Sequence, residues 1–389
     1  MSAHRESAQG RRLRLGMVGG GQGAFIGAVH RYAARLDDEY ELVAAALSSD
    51  ANRARESGLA LRLDPARLYL DYREMAQQEA ARPDGIDVVS IVVPNHLHFP
   101  VAQAFLEAGI HVICDKPLTT RLEDGIALQE LADRQGCLFG LTHNYSGYPL
   151  VRAARELVAR GDLGELRIVQ VEYAQDWLAQ PIEESGDRQA SWRTNPELAG
   201  PAGCLGDIGS HAAHLAEFVT GMAPSEISAD LGTLVPGRRV DDHVQMLLRY
   251  ANGARGMLWA SQVASGEENG LRLRVYGTHG SLRWSQETPN ELWLGAQGEP
   301  ARRLTRGMRG LPDAAAAASR LPPGHPEGFI EAFAQLYRDF AADVRAHQAG
   351  EAGHTSSVPG LKEGVCSLRL IEAALASHKA NARWTTLAP

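Results

Sequence analysis

The chain has 389 residues, 44% hydrophobic and 22% charged, which excludes disorder, collagen and coiled coil for the whole and favours two domains over one. Thirty-nine Lys and Arg against 47 Asp and Glu give a formal net charge of −8, so there is no net basic field to hold a nucleic-acid backbone. No uninterrupted apolar run approaches the roughly 18 residues of a membrane span, so neither nucleic acid nor membrane is expected as a partner.

Residues 1–12 read as a flexible tail. Arg11-Arg12 ahead of the apolar run from Leu13 has the outline of a twin-arginine export signal, but Gly19-Gly20-Gly21 breaks that run and strand-turn-helix chemistry follows directly. Between Leu13 and residue 143, short apolar runs alternate with helical stretches: Leu15 to Val18, Leu42 to Leu47, Val88 to Val93, His111 to Cys114 and Leu138 to Leu141. The runs are nearly continuous in Val, Ile, Leu and Ala, as strands are when helices cover both faces of a parallel sheet. The expected fold class is α/β: a doubly wound parallel sheet over 13–143, then a second α/β unit over 144–389.

After Gly147 the rhythm changes. A helix from Leu150 to Arg160 leads to an extended segment from Leu166 to Tyr173, and a glycine-rich turn from Gly200 to Gly206 opens a helix near Ile208. Strand-like segments at Val244 to Tyr250, Ala254 to Val263, Leu271 to Tyr276 and Ser281 to Trp284, joined by Asn252-Gly253 and His279-Gly280 turns, predict an open, mainly antiparallel sheet. Residues 295–324 carry few signals, and Ala314 to Ala318 reads as a loop or a short surface helix. Helices from about Gly328 to His347 and Leu361 to Asn381 close the chain and are placed to pack back on the first unit. Met246, Leu248, Met257, Trp259 and Leu273 supply more apolar side chains than one helical layer covers, which predicts a homodimer or homotetramer through this sheet. The four cysteines, Cys114, Cys137, Cys204 and Cys366, contain no CxxC pair and fit a reducing, cytoplasmic setting.

Gly19-Gly20-Gly21-Gln22-Gly23 follows the first strand and precedes a helix, the context in which glycines let a dinucleotide pyrophosphate approach the backbone and the helix start. Candidate contacts are Gly19, Gly21, Gln22, Ala24, Phe25 and Ile26. About three residues are inserted before Gly27 relative to the usual G-x-G-x-x-G spacing. Lys116 is placed after the fifth strand, at the carboxyl edge where parallel sheets bind ligands. Asp207 and His211 stand four apart at a helix start and so share a face. His214 extends that spacing into a set that a metal could use, although three ligands from one short helix give strained geometry. Asp241-Asp242-His243 reads as a polar loop before a strand.

Val93-Pro94-Asn95-His96-Leu97-His98, Asp115-Lys116-Pro117-Leu118, Gly206-Asp207-Ile208-Gly209-Ser210-His211 and Val275-Tyr276-Gly277-Thr278-His279-Gly280 occur in an order and spacing that resembles the Gfo/Idh/MocA oxidoreductases. The resemblance implies an N-terminal Rossmann domain and nicotinamide chemistry on a small-molecule sugar, glycoside or cyclitol alcohol. It adds Pro94, Asn95, His98, Lys116 and Pro117 as cofactor contacts. It makes Lys116, Asp207 and His211 catalytic, with no metal. Asn144, Tyr148, Gln175, Trp177, Trp192 and Arg193 become substrate contacts beside Asp207 and His211.

Cofactor choice turns on Leu47-Ser48-Ser49-Asp50, where the acid that binds the NAD ribose normally stands. Ser48 occupies that position, with Ser49 beside it and Arg53 one turn on to meet a 2′-phosphate, which leans the reading from NAD toward NADP. Asp50 argues the other way, and Ser48, Ser49 and Asp50 also suit a helix cap. The family resemblance leaves two further readings: an NAD-dependent glycosidase working through transient oxidation, and a cofactor-binding regulator without catalysis.

Overall fold

The computed structural model describes residues 10–351 and 356–387. The first unit runs β1 (Leu13–Gly19), α1 (Phe25–Leu36), β2 (Tyr40–Ala46), α2 (Ala51–Ala60), α3 (Tyr72–Ala81), β3 (Val88–Val92), α4 (His98–Glu107), β4 (His111–Cys114), α5 (Leu122–Gln135) and β5 (Phe139–Leu141). Its strands are all parallel in the order β2-β1-β3-β4-β5, so the strand order reverses beside β1. A crevice opens at such a reversal, outside the carboxyl ends of the strands.

Lys116 follows the fourth strand of the sheet, not the fifth, because each of the five apolar runs forms one strand and no other strand joins them; between α2 and α3 there is only an isolated parallel bridge of Leu68 with Ala45 after a short 3₁₀ turn at Pro65.

The second unit contains α6 (Pro149–Ala159), β6 (Leu166–Ala174), α7 (Arg188–Arg193), α8 (Pro196–Ala199), α9 (Ser210–Thr220) and β7 (Glu226–Gly232). Next come β8 (His243–Arg249), β9 (Arg255–Ser261), β10 (Gly270–Gly277), β11 (Gly280–Ser285), β12 (Glu291–Ala296) and β13 (Arg302–Thr305). The chain then forms α10 (Asp313–Ala318), α11 (Phe329–Gln348), α12 (Leu361–Lys379) and β14 (Thr385–Thr386). The nine-stranded sheet has the order β13-β12-β11-β10-β6-β9-β8-β7-β14 and is antiparallel except for β6 with β9. β7, β12, β13 and β14 carried no strand signal in the sequence. α10 is the short surface helix that the alanine run allowed: Ala314, Ala316 and Ala317 are exposed, while Ala315 and Ala318 are buried on the face toward the neighbouring α6.

Alternation along the strands divides the sheet into two faces. Val244, Met246 and Leu248 point inward with Leu273 and pack under α6, α9 and α12. The apolar side chains left on the opposite face are Ile168, Leu247, Met257 and Tyr276, with Trp259 half-buried beside them. The expected open face thus exists, but Met246, Leu248 and Leu273 do not belong to it, since residues two apart on a strand share a side and these three have their cover.

The last long helices build the first unit as well as the second. Phe333, Tyr337 and Phe340 of α11 pack with Val29 and Ala33 of α1 over β1 and β3, and Val365 and Leu368 of α12 pack against α5. The contact includes a buried polar network: Tyr337 hydroxyl lies 2.8 Å from both His30 Nδ1 and Ser90 Oγ, and Tyr40 donates to the Tyr337 carbonyl at 2.9 Å. Residues 1–9 of the expected tail lie outside the described residues. Arg11 is held by a bidentate pair with Asp87 and Arg12 by Asp38.

Candidate active site

The crevice between the units is a cavity of about 1230 Å³ that runs from the glycine loop, past Lys116 and His211, to Trp177 and Trp192. That exceeds the ~300–1,000 Å³ of a usual ligand pocket and leaves space for a dinucleotide with a small substrate beside it.

At the nucleotide end, β1 stops at Gly19, whose φ of 81° suits glycine and where a Cβ would fall 2.5 Å from the Val92 carbonyl. Gly27, beyond the insertion, lies with its Cα so close to Gly20 that a Cβ would fall 2.4 Å from it. It thus fills the helix-packing role of the third glycine in the usual motif. Arg31 of α1 donates to the Gly20 carbonyl at 2.7 Å, and buried Ser57 of α2 accepts the Gln22 amide at 3.0 Å. Helix α1 starts without a side-chain cap or an acidic residue in its first turn, and Ala24, Phe25 and Ile26 line the cavity. Free N–H groups at such a start suit an anionic pyrophosphate. The residues present therefore fit the dinucleotide that the glycine pattern implies.

Gly19, Gly21, Gln22, Ala24, Phe25, Ile26, Ser48, Ser49, Arg53, Pro94, Asn95 and Lys116 all line the cavity. His98 and Pro117 do not. The His98 ring is buried between the Pro117 and Val93 carbonyls, at 2.7 and 3.0 Å, so it ties the loops after β3 and β4 together from behind. Asp50 also stands outside the cavity wall. Its carboxylate accepts the Arg53 amide at 2.8 Å as the N-cap of α2, so the helix-cap reading holds for this residue.

The centre of the cavity joins the two units. Asp115 accepts the Lys116 amide at 2.9 Å and the Thr142 hydroxyl at 3.0 Å, which fixes the loop from which Lys116 reaches across. Lys116 Nζ donates to the Asp207 carbonyl at 2.6 Å and to Asp207 Oδ1 at 2.7 Å. Gln262 donates to Oδ2 at 2.9 Å, and Arg193 Nε stands 3.4 Å from it. Burial favours the neutral acid at Asp207, but the Lys116 ammonium and the Arg193 guanidinium outweigh it and hold the carboxyl well below its ordinary value.

Asp207 is not a helix-cap residue. It sits in a π-helical turn, Leu205–Gly209, directly before α9. That turn is held by Asp241, whose buried carboxylate accepts the Gly203 and Leu205 amides, each at 2.8 Å. Asp242 is equally buried and accepts the Leu234 and Val235 amides. The pair read as a polar loop is thus internal, because it supplies acceptors to backbone N–H groups that no strand or helix satisfies.

His211 lines the cavity and stands edge-on to the Tyr145 ring, with centroids 4.9 Å apart. Burial and then Lys116 outweigh Asp207 and push its imidazole well below the ordinary value, so it is neutral at pH 7. His214 does not join Asp207 and His211 in the wall: it stacks on His143, 4.1 Å between centroids. Among the described residues no three His, Cys, Asp or Glu side chains converge as metal ligands.

Asn144, Gln175, Trp177, Trp192 and Arg193 line the far end of the cavity. Arg193 lies over Trp192, with Cζ 4.2 Å from the ring centroid. Tyr148 does not reach the cavity, because it packs behind the wall against Trp284, which itself serves the core. The sequence did not point to Tyr173, Asn269 or Gln262. The Tyr145 and Tyr173 hydroxyls are hydrogen-bonded, and Asn269 Oδ1 accepts from Tyr173 and from Gln175, each at 2.8 Å. Tyr145 adjoins the expected contact Asn144, but nothing local marks Tyr173, Asn269 or Gln262.

Replacing Asp241 with Ala strands two buried amides, a cost of about 1–3 kcal/mol each. The expected result is a drop of about 2–6 kcal/mol in unfolding free energy by urea titration, with Asp241→Asn recovering part of it. Wild-type stability in the alanine variant would show that the turn holds itself.

Residues 13–143 match the model for the oxidoreductase family with an NAD-binding Rossmann fold, and residues 151–283 match the GFO/IDH/MocA C-terminal domain. The uncharacterized oxidoreductase YfiI of Bacillus subtilis (strain 168) is 35% identical over 377 residues, 96% of each chain. Levoglucosan dehydrogenase of Pseudarthrobacter phenanthrenivorans is 30% identical, over 81% of this chain and 82% of its own. The crystal structure of an inositol dehydrogenase homolog from Azotobacter vinelandii, complexed with NAD+, superposes with a TM-score of 0.94 at 38% identity over 97% of each chain. Both parts of the chain thus match one family, and the chain belongs to the Gfo/Idh/MocA oxidoreductases.

Proposed function

We propose that the protein interconverts a secondary alcohol and a ketone on a sugar, glycoside or cyclitol, with NAD(P) as the redox partner. The observation that carries this reading is the convergence of Lys116, Asp207 and His211 on one wall, between a dinucleotide cradle and an end lined by Trp177, Trp192, Asn144 and Gln175. Amide groups beside flat indole faces are what a polyhydroxylated ring requires. The inositol and levoglucosan enzymes among the relatives support the substrate class.

Bound nicotinamide supplies hydride acceptance and donation. The chain's own task is the hydroxyl proton. Lys116 gives two N–H bonds to Asp207, which leaves one to point at the substrate oxygen and stabilise negative charge as it develops. Neutral His211 takes the proton. Asp207, kept ionised, fixes Lys116 and accepts from Gln262.

NADP is favoured over NAD by the far end of the nucleotide cleft. Asp50 and Asp71 both spend their carboxylates as helix N-caps, while Arg53 lines the cavity without a carboxylate partner among the described residues. The outward sheet face carrying Ile168, Leu247, Met257 and Tyr276 supports a homodimer or homotetramer. The four cysteines, all free, suit a reducing cytoplasm.

A panel of polyols and sugars followed at the nicotinamide absorbance band should yield at least one that gives sustained NAD(P)H. Lys116→Ala should lower kcat on it by about 100-fold or more, with little change in cofactor Kd. A panel with no turnover, or a fully active alanine variant, overturns the reading.

Arg53→Ala should weaken NADP binding by about tenfold or more in a fluorescence titration and leave NAD nearly unchanged. Equal NADP affinity before and after the change defeats the cofactor preference.

Light scattering should report a multiple of the 42.0 kDa chain, and Leu247→Glu with Met257→Glu should reduce it to a folded monomer. A wild-type monomer at every concentration contradicts assembly through this face.

A further inference from the structure

The proposed chemistry leaves part of a buried histidine cluster unused. His211 Nδ1 is buried with no hydrogen-bond partner, so Nε2 is the nitrogen left to meet the cavity. His143, in the loop after β5, is 1% exposed, and neither of its ring nitrogens has a partner among the described residues. It stacks on His214 at an interplanar angle of 8° and stands edge-on to His211, with centroids 5.6 Å apart and planes at 87°.

A neutral imidazole carries one N–H and one bare nitrogen. Leaving such groups buried and unpaired costs about 1–3 kcal/mol each, and folded proteins rarely do so without a buried water or a functional reason. Three orphaned nitrogens on two adjoining rings are a polar environment able to hold a water, since a buried water makes two to four hydrogen bonds. For Nε2 of His211 to accept a proton, the ring hydrogen must sit on Nδ1, and no atom of the described residues accepts it there.

We propose that a water molecule bridges His211 Nδ1–H to His143, making His143 the positioning residue that keeps Nε2 of His211 bare. This rests on the reading of His211 as proton acceptor. In the oxidation direction the substrate O–H bond breaks and its electron pair becomes the second carbon–oxygen bond, the C–H bond on the same carbon breaks with its hydride leaving for the oxidised nicotinamide of the proposed reaction, and the proton moves to Nε2. The resulting imidazolium keeps its Nδ1–H on the water, and the reverse reaction returns the proton along the same line. The outer ring nitrogen of a metal-ligating histidine is fixed in a comparable way, and loss of that contact changes activity by about 10–100-fold.

Several groups set the charge of this ring. Lys116 approaches from the loop after β4, Asp207 from the turn before α9, and His214 from α9 itself. His143 and Tyr145 face it from the loop after β5, and Tyr173 from β6. His143 in turn feels His214, His211 and Lys116, and is neutral through burial.

The test uses ¹⁵N-histidine NMR of the full-length protein without ligand at pH 7, together with kinetics. Wild type should show His211 in the Nδ1–H form. His143→Phe keeps a ring over His214 but offers no acceptor, and should move His211 toward the Nε2–H form. It should also lower kcat by about 10–100-fold at similar KM and shift the acid limb of the pH profile to lower pH. His143→Gln, whose side-chain oxygen accepts a hydrogen bond, should restore much of the tautomer and of the rate. An Nε2–H His211 in wild type, or an unchanged tautomer in the phenylalanine variant, overturns the proposal. The expected tautomer shift in a protein that oxidises no polyol supports this inference and defeats only the functional reading.

Discussion

The contact between the Lys116 ammonium and Asp207 is the constraint on which the rest of the site depends. Lys116 belongs to the parallel sheet and Asp207 to the turn before α9, so one pair of charges fixes the unit that cradles the cofactor against the unit that carries the polar, aromatic end of the cleft. Taking two charges out of water is costly, and the geometry must compensate. It does so through the Asp207 carbonyl, which accepts a second hydrogen bond from the Lys116 ammonium, through Gln262, which donates to the carboxylate, and through the nearby Arg193 charge.

That arrangement is supported from outside the cavity. Asp241 holds the turn carrying Asp207, Asp115 and Thr142 hold the loop carrying Lys116, and His98 ties the β3 and β4 loops together. None of Asp241, His98 or Pro117 meets the cavity. Such second-layer contacts fix rotamers whose misplacement by an ångström is costly for chemistry. α11 extends the same principle to the domain scale, since its aromatic face completes the core over β1 and β3 and so steadies the strand that ends in the glycine loop.

Much of the first unit was legible because its strands are buried on both faces and so appear as continuous apolar runs. The glycine pattern, Lys116 and the Asp207–His211 pair were legible because their spacing resembles a known family. Misreadings arose where burial reverses the usual meaning of a residue. Asp241-Asp242 looked like a solvated loop, yet each carboxylate is an internal acceptor for backbone amides. His98 lay inside a recognised motif, but its ring faces two carbonyls behind the wall. Met246 and Leu248 were assigned to an open face because the sequence does not say which of two alternating faces a helix covers.

By itself, the sequence determined the α/β class, the position of the cofactor loop, the order of the motifs and the identity of the central lysine, aspartate and histidine. The class and the loop follow from local periodicity and from the backbone freedom of glycine, and the three central residues from the resemblance of their motifs to a known family. Tertiary structure alone decided that Asp207 meets Lys116 across 91 positions of chain, that Tyr173 and Asn269 join the cleft, and that His143 stacks on His214 with its nitrogens unpaired. Partnership between residues far apart in the chain depends on how two sheets are set against each other. That orientation is held by the packing of α11 and α12 on the first unit together with the Lys116–Asp207 contact, a long-range fit that no local pattern encodes.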